Sequence, residues 1–300
     1  PITPPGLLLK RVAPFAIAAA IWFTPVPAGL TAPAWHLFAV FVSAIACVLI
    51  GSFPLLTASM IAVATVVLTG TLTPAQAFSG FANASVLLVV IAFIVAQAVV
   101  KSGLGRRISL LMVSRFGGSP LGLAYSLVLT DAAIAPAFPS NTARGGVLFP
   151  IVLSISKGAG SEPDSPEGRR LGGYLMFCAM AGLSVSSALW LTATSCNPIG
   201  VQIAQQHGMD IGFADWLIAS SVPTLSAILI LPLLVAKIFP PGIGATPEAP
   251  IAARRDLAGM GAMSRDERIT LVTFAVMVAG WVAGSALQIN GTAVAFMGFG

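Results

Sequence analysis

Long apolar runs, separated by short polar stretches, occupy most of the chain. A helix needs about 20 mostly apolar residues to cross the hydrocarbon core of a bilayer, and several runs approach that length. The pattern predicts membrane spans at residues 12–25, 35–50, 54–69, 82–100, 215–238 and 268–287, with another beginning at residue 292. The first span is short, and Pro14 is expected to interrupt it.

Two further apolar segments are too long and too interrupted for one straight helix. Residues 121–156 contain prolines, a polar cluster and two charges near their middle, which would break a continuous span. A re-entrant hairpin of two half-helices is therefore predicted, because irregular backbone is tolerated at membrane depth where protein or water surrounds it. Residues 171–206 predict a helix to about Trp190, an unwound stretch, and a second half-helix from about Pro198.

The composition indicates that lipid surrounds much of the protein. Hydrophobic residues make up 57% of the 300-residue chain and charged residues only 8%, whereas a soluble domain carries about 25% charged residues. So few charges cannot cover a globular surface, which excludes a soluble protein. The net charge of +5 comes from single residues and pairs rather than from a basic run, so no nucleic-acid partner is predicted.

The basic residues predict the orientation of the spans. With the N-terminus in the cytoplasm, every Lys and Arg except Arg144 falls on the cytoplasmic side, and the predicted outer loops contain none. We therefore expect an integral protein of a bacterial inner membrane with a cytoplasmic N-terminus. The segment Leu104–Phe116 mixes three arginines with apolar residues, which is typical of an amphipathic helix lying in the membrane interface.

Neither a metal centre nor a catalytic apparatus is predicted. The cysteines Cys47, Cys178 and Cys196 lie in apolar or small-residue surroundings and lack metal-ligand spacing. His36 and His207 are far apart, and the sequence has no paired carboxylates or nucleophilic triad. We expect no enzyme activity and no cofactor, and the only candidate ion is Na⁺ as a coupling ion.

The first candidate site is the predicted hairpin tip, formed by Ser140, Asn141 and Thr142. Their hydroxyl and amide groups can donate to a carboxylate or coordinate a cation. The N-terminus of the returning half-helix would direct free N–H groups and a partial positive charge at the same place, which suits an anion. The alternative is that these residues only cap the second half-helix.

The second candidate site is the polar break from Thr192 to Asn197. Discontinuous helices with polar breaks mark midplane binding sites in transporters. Unwound carbonyls can hold Na⁺ there, with the side chains of Thr194, Ser195 and Asn197 nearby. The alternative is a kink caused by Pro198, whose polar neighbours bond to nearby backbone.

Asp131 and Arg144 are the two charges inside the predicted hairpin. Charge buried in a membrane is expensive, so each is a candidate functional residue. Arg144 can attract a substrate carboxylate, or it can pair with Asp131 or with a helix end as a structural lock. Asp131 is also a weaker candidate for a proton or cation site.

The run PSNTARGGVLFPIV at residues 139–152 resembles the first hairpin of the divalent anion/sodium symporter family. It is similar to the branch that holds bacterial citrate/succinate and tartrate/succinate antiporters and plastid 2-oxoglutarate/malate translocators. The run LTATSCNP at residues 191–198 resembles the broken fifth helix of that branch. The resemblance extends in span order over nearly the whole chain.

The resemblance implies an all-α polytopic membrane protein with an inverted-repeat fold, a homodimer, and alternating access of the elevator kind. It assigns residues 1–118 to a scaffold part, 119–240 to a transport part, 241–265 to a cytoplasmic linker and 266–300 to the start of the second repeat. The second Ser-Asn-Thr hairpin of the family is missing from these residues. We therefore expect a truncated second repeat and half of a binding site.

By the same resemblance, the chain is expected to move di- or tricarboxylates by Na⁺ symport or by anion exchange. The expected substrate-binding residues are Ser140, Asn141, Thr142, Arg144, Thr194 and Asn197. The expected cation-binding residues are Ser140, Asn141, Thr192, Ala193 and Ser195. The alternative is a carrier of inorganic oxyanions such as sulfate with the same fold, and a remote alternative is an intramembrane enzyme or a non-transporting membrane subunit.

Overall fold

The computed structural model describes residues 5–158, 161, 168–287 and 289–299. Within these ranges the regular structure consists of α-helices and short 3₁₀ turns, without a strand. Among these described residues, six helices are long and apolar enough to cross a membrane. The chain is therefore an all-α polytopic membrane protein, as its apolar pattern predicted.

Residues 5–83 form one compact unit. Consecutive helices pack against each other in this unit, and a 3₁₀ turn, Ser79–Ala82, ends it. Its helices are α1 (Pro5–Trp22), α2 (Ala32–Leu49), α3 (Leu55–Leu68) and α4 (Pro74–Phe78). The short helix α4 was not predicted; Thr73 and Gln76 form a capping box at its start.

Pro14 does not interrupt α1, contrary to the prediction. A serine in the loop after α2 pairs with the carbonyl group that the proline leaves without a donor. Proline has no N–H, so the carbonyl of Lys10, four residues earlier, loses its usual donor. The Ser52 hydroxyl donates to that carbonyl at 2.5 Å. The helix therefore continues through Pro14 to Trp22.

The described residues from Ala84 onward form the second compact unit. Its helices are α5 (Ala84–Ser102), α6 (Leu104–Phe116), α7 (Pro120–Ile134), α8 (Asn141–Gly158), α9 (Gly168–Leu189), α10 (Cys196–Gln206), α11 (Phe213–Ile238), α12 (Glu248–Met260), α13 (Arg265–Leu287) and α14 (Gly291–Phe299). This division follows packing alone, so the predicted scaffold and transport parts stay predictions.

Helix α9 lies at the centre of the second unit. It packs against α7, α8 and α11, and its buried residues Tyr174, Leu175 and Cys178 share a core with Leu123 and Leu127 of α7. The close approach of α7 and α9 depends on Gly182, because a Cβ there would lie 2.9 Å from a methyl of Val128. This packing aligns the interrupted ends of both helices.

The segment predicted as a linker, residues 241–265, contains the helix α12. Ala249 and Ala253 lie four residues apart on one face of it and are buried in the same core as Val113 of α6. Thr246 fixes the start of the segment, since its hydroxyl donates to the carbonyl of Gly117 at 2.7 Å. The small side chains let this helix pack closely against α6. The same Ala- and Gly-rich composition led to the prediction of a linker.

Helix α6 has the predicted bounds, but one of its three arginines is not on a solvated face. Arg107 is 8% exposed and forms an ion pair with Glu267 of α13, with Nε–Oε1 at 2.7 Å. Its guanidinium also donates to the carbonyl of Gly261 at 3.1 Å. Arg107 therefore ties α6 to the start of α13, and the position of α6 in a membrane interface stays a prediction.

Candidate functional site

Two interrupted helix pairs define the candidate site. Helix α7 ends at Ile134, a 3₁₀ turn covers Ala135–Ala137, and α8 begins at Asn141. Helix α9 ends at Leu189 and α10 begins at Cys196. Both interruptions fall where the polar runs predicted them, whereas the re-entrant course of the first pair through a membrane stays a prediction.

The two interruptions touch each other. The hydroxyl of Thr192 donates to the carbonyl of Pro136 at 2.8 Å, and the backbone N–H of Ser195 donates to the carbonyl of Pro139 at 3.1 Å. The indole of Trp190 adds a third bond, to the carbonyl of Ala132 at 2.9 Å. The sequence predicted each interruption but gave no measure of their distance, so this contact is a finding of the structure.

The meeting point brings two helix N-termini together. Helix α8 starts two residues after Pro139, and α10 starts one residue after Ser195, so the bond between these two residues joins the starts of both helices. A helix N-terminus carries unpaired N–H groups and a partial positive charge of about half an elementary charge. Two such ends at one place favour an anion.

The predicted site residues differ in their exposure. Asn141 and Thr142 are exposed; Ser140, Thr194, Ser195 and Asn197 are half-buried. Thr192 and Ala193 are buried, at 2% and 0% exposed, so a ligand on the protein surface would not reach them. Cys196, the first residue of α10, has an exposed thiol beside Ser195.

Ser140 also acts as a helix cap. Its hydroxyl accepts a hydrogen bond from the N–H of Ala143 at 3.3 Å, the bond expected of a capping serine. The capping alternative therefore describes Ser140 correctly, while the exposed Asn141 and Thr142 beyond the cap leave polar groups for a ligand.

Arg144 is completely buried and pairs with Asp131, which is also completely buried. Guanidinium nitrogen Nη1 donates to Asp131 Oδ2 at 2.8 Å and to the Ser186 hydroxyl at 2.8 Å. The second nitrogen, Nη2, donates to Asn141 Oδ1 at 2.7 Å and to the Ser187 hydroxyl at 2.5 Å. Of the two roles considered for Arg144, the structure shows the pair with Asp131.

Asn197 holds the start of α10 against the end of α9. Its amide nitrogen donates to the carbonyls of Ser187 at 2.8 Å and Trp190 at 3.1 Å. These carbonyls belong to the last turn of α9 and the residue after it, where no intrahelical donors remain. A substrate contact from Asn197 stays a prediction, with its carbonyl oxygen as the remaining polar group.

Ser186 and Ser187 were not predicted as site residues. Both lie inside an apolar helix, where an isolated serine commonly bonds to the preceding turn, and each here also bonds to the carbonyl of Leu183. The sequence signal for them is weak: they precede the second polar break by a turn. Their importance appears only when α7, α8 and α9 are packed together.

Comparison with known proteins adds an independent observation. Residues 6–300 match the family described as the sodium:sulfate symporter transmembrane region. The spinach chloroplast dicarboxylate transporter 1 is 38% identical over 280 residues, which are 93% of this chain and 49% of that protein. The citrate/succinate antiporter of Escherichia coli is 33% identical over 309 residues, 96% of this chain and 63% of that protein.

A third relative, YflS of Bacillus subtilis, has a name that proposes malate as its cargo. It is 39% identical over 285 residues, 94% of this chain and 60% of that protein. The chain thus spans between about half and two thirds of the length of these relatives. Because the family match covers nearly the whole chain, the chain belongs to the sodium:sulfate symporter family. This is the divalent anion/sodium symporter family that the hairpin motif resembles.

Proposed function

We propose that this protein is a secondary transporter that moves dicarboxylate or tricarboxylate anions across a bacterial inner membrane by exchanging one anion for another. The observation that carries the proposal is the direct contact between the two helix interruptions, through Ser195 and Pro139. Two helix N-termini and the exposed polar groups of Asn141 and Thr142 meet there. This combination suits a carboxylate.

The relatives support the chemical class of the cargo. The names of the spinach and Escherichia coli proteins specify dicarboxylates, citrate and succinate, and one of the two proteins is an antiporter. For exchange, the two helix N-termini supply the partial positive charge that attracts an anion, because the charge of Arg144 is balanced by Asp131 at 2.8 Å. We extend the proposal to a homodimer and to elevator-type alternating access, on the family resemblance.

Na⁺-coupled uptake, with sulfate as one candidate cargo, is the second candidate function, because the family description contains both words. Ser140, Asn141, Thr192, Ala193 and Ser195 are the proposed cation ligands in this case. Oxygen atoms of hydroxyls and unwound carbonyls suit a hard cation such as Na⁺. The two candidates differ in what drives uptake, which makes them separable in one assay.

The deciding measurement is uptake of labelled malate into liposomes that contain the protein expressed from its native gene. One set of liposomes contains unlabelled malate without a Na⁺ gradient, and a second set has an inward Na⁺ gradient without internal anion. Exchange predicts uptake only in the first set. Uptake only in the second set would contradict exchange and favour symport, and competition by sulfate but not by citrate would contradict the carboxylate assignment.

Asn141→Ala provides the test of the site within the same assay. We expect uptake at background level, because the exposed amide beside the two helix N-termini is removed. Gln206→Ala is the matched control, since Gln206 is an exposed amide at the last residue of α10, ten residues after the helix start at Cys196. Normal malate uptake by Asn141→Ala would disprove the site assignment while leaving the transport function open.

A further inference from the structure

The buried network around Arg144 fixes which atoms the Asn141 side chain presents to a ligand. Asn141 Oδ1 lies 2.7 Å from Arg144 Nη2 and 2.6 Å from the Ser187 hydroxyl. A guanidinium can only donate hydrogen bonds, so the atom facing it must be the carboxamide oxygen rather than the nitrogen. The orientation of this amide thus follows from the chemistry of its neighbour.

The carboxamide nitrogen of Asn141 must then face the opposite way. In a planar carboxamide the oxygen and the nitrogen point in different directions, and the oxygen is used on the inner side. In the described part of the chain, no protein acceptor lies within hydrogen-bond distance of Nδ2, and Asn141 is exposed. Its two N–H groups are therefore available to a ligand at the meeting point of the two interruptions.

The rest of the network holds Arg144 in place. Asp131 Oδ2 accepts from Arg144 Nη1 at 2.8 Å and also accepts from the Ser186 hydroxyl. Ser187 contacts both Arg144 Nη2 and Asn141 Oδ1, so a single hydroxyl of α9 links the two side chains of α8. A rotation of the Asn141 amide would break the hydrogen bond from the charged Arg144. It would also break the contact with the Ser187 hydroxyl, whose single proton is shared between Asn141 Oδ1 and the carbonyl of Leu183.

Stability alone does not account for this network well. Two completely buried atoms, Asp131 Oδ1 and Arg144 Nε, have no hydrogen-bond partner in the residues described. Buried unpaired polar atoms are costly, and a buried ion pair often stabilises a fold no more than apolar residues of the same volume. The orientation that this pair imposes on Asn141 explains it better than a gain in stability does.

We propose that Asp131, Arg144 and Ser187 are positioning residues that turn the N–H groups of Asn141, and not its oxygen, toward the ligand. The Asn141 side chain is thereby a donor to an anion and is unsuited to bind a cation, which separates the two roles that the sequence motif left combined. This inference rests on the proposed function, because it presupposes an anionic ligand at the two interruptions.

The test measures ligand binding without transport. The thermal unfolding midpoint of the detergent-purified protein is followed against malate concentration, since a ligand of the folded state raises the midpoint by mass action. Ser187→Ala should require roughly tenfold more malate for the same rise, the loss expected for one hydrogen bond in a charged network. Ser187→Thr keeps the hydroxyl and should restore the response of the unmodified protein.

Ser184→Ala is the matched control. Ser184 is an exposed serine one turn earlier on α9, and its hydroxyl bonds only within that helix, to the carbonyl of Met180. A merely structural role for Ser187 would lower the midpoint without malate and leave the malate dependence unchanged. That result, or a failure of Ser187→Thr to restore binding, would overturn the positioning role.

The same titration separates this inference from the function on which it rests. If the unmodified protein responds to none of malate, citrate and sulfate, the proposed function fails and the inference fails with it. If the unmodified protein responds to malate and Ser187→Ala responds at the same concentrations, only the inference fails.

Discussion

The ion pair between Asp131 and Arg144 is expected to make the protein unstable when either charge is lost. Both side chains are completely buried and come from different helices, α7 and α8. Removing one partner leaves the other as an uncompensated charge in a medium of low polarity, where solvation cannot replace the lost attraction. The cost is therefore expected to be much greater than that of an exposed pair.

Asp131→Asn should lower the free energy of unfolding by about 3 to 5 kcal/mol, because it leaves the Arg144 guanidinium buried without a counter-charge. The measurement is denaturant or thermal unfolding in detergent. Arg106→Gln is the control: Arg106 pairs with Asp256 at 3.4 Å on an exposed surface, and losing that pair should cost less than about 1 kcal/mol. Equal effects of the two variants would contradict the importance of the buried pair.

What could be predicted at this scale depends on the residue type. Arg144 and Asp131 were recognisable because a charge within an apolar segment is rare and costly. Ser186 and Ser187 were not, because serine is compatible with a buried helix and its usual bond to the previous turn hides any second role. The sequence thus shows the buried charge of Arg144, whereas its partners Ser186 and Ser187 become evident only in the packed structure.

At the scale of elements, two side-chain hydrogen bonds, from Thr192 and Trp190, and one backbone bond, from Ser195, hold the two interrupted helix pairs together. Thr192 is 2% exposed, and its hydroxyl reaches across to the carbonyl of Pro136 in the other helix pair. The backbone bond from Ser195 cannot be removed by a side-chain substitution. A substitution of Thr192 therefore tests how the interruptions are held together, because it removes a hydrogen bond with little change in side-chain shape.

Thr192→Val should lower the free energy of unfolding by about 1 to 3 kcal/mol, since it removes a donor from a buried carbonyl while keeping the shape of the side chain. It should also raise the malate concentration needed to stabilise the protein. Thr130→Val is the control, because the hydroxyl of buried Thr130 bonds within its own helix, to the carbonyl of Ser126. Equal malate responses in both variants would contradict a role for Thr192 in the site.

The element pattern was predictable where hydrophobicity alone determines the structure. Except at the start of α1, predicted at residue 12 and observed at Pro5, the spans, α6 and both interruptions agree with the predicted bounds within a few residues. Lipid-facing helices need continuous apolar side chains, and the sequence shows these directly. Helix α12 was not predicted, because alanines packed against α6 stabilise it rather than a long apolar run. The prediction failed at Pro14, where a distant serine compensates for the proline.

At the scale of the whole molecule, the distribution of basic residues predicts which loops share a side of the membrane. Lys101 lies in the last turn of α5 and Lys237 in the last turn of α11, and both are exposed. Gly208 lies after α10 and is also exposed. The positive-inside rule assigns the two lysines to the cytoplasm and Gly208 to the opposite side.

A cysteine introduced at each of these three positions in turn tests the orientation in intact cells. The background carries Cys196→Ala, because the other two cysteines, Cys47 and Cys178, are buried. A membrane-impermeant maleimide added outside the cytoplasmic membrane should label Gly208→Cys and should label Lys101→Cys and Lys237→Cys only after the cells are broken. Labelling of either lysine position in intact cells would contradict the cytoplasmic N-terminus.

The exposed residue Cys196 offers a test of whether an anion binds where the two interruptions meet. This cysteine is the first residue of α10 and follows Ser195, whose backbone bond joins the two helix starts. An anion seated there would shield the sulfur, so the rate of its alkylation would fall as the site fills. The affinity for unlabelled anions could then be measured by thiol chemistry on the unmodified protein, without radioactive cargo or a sealed vesicle.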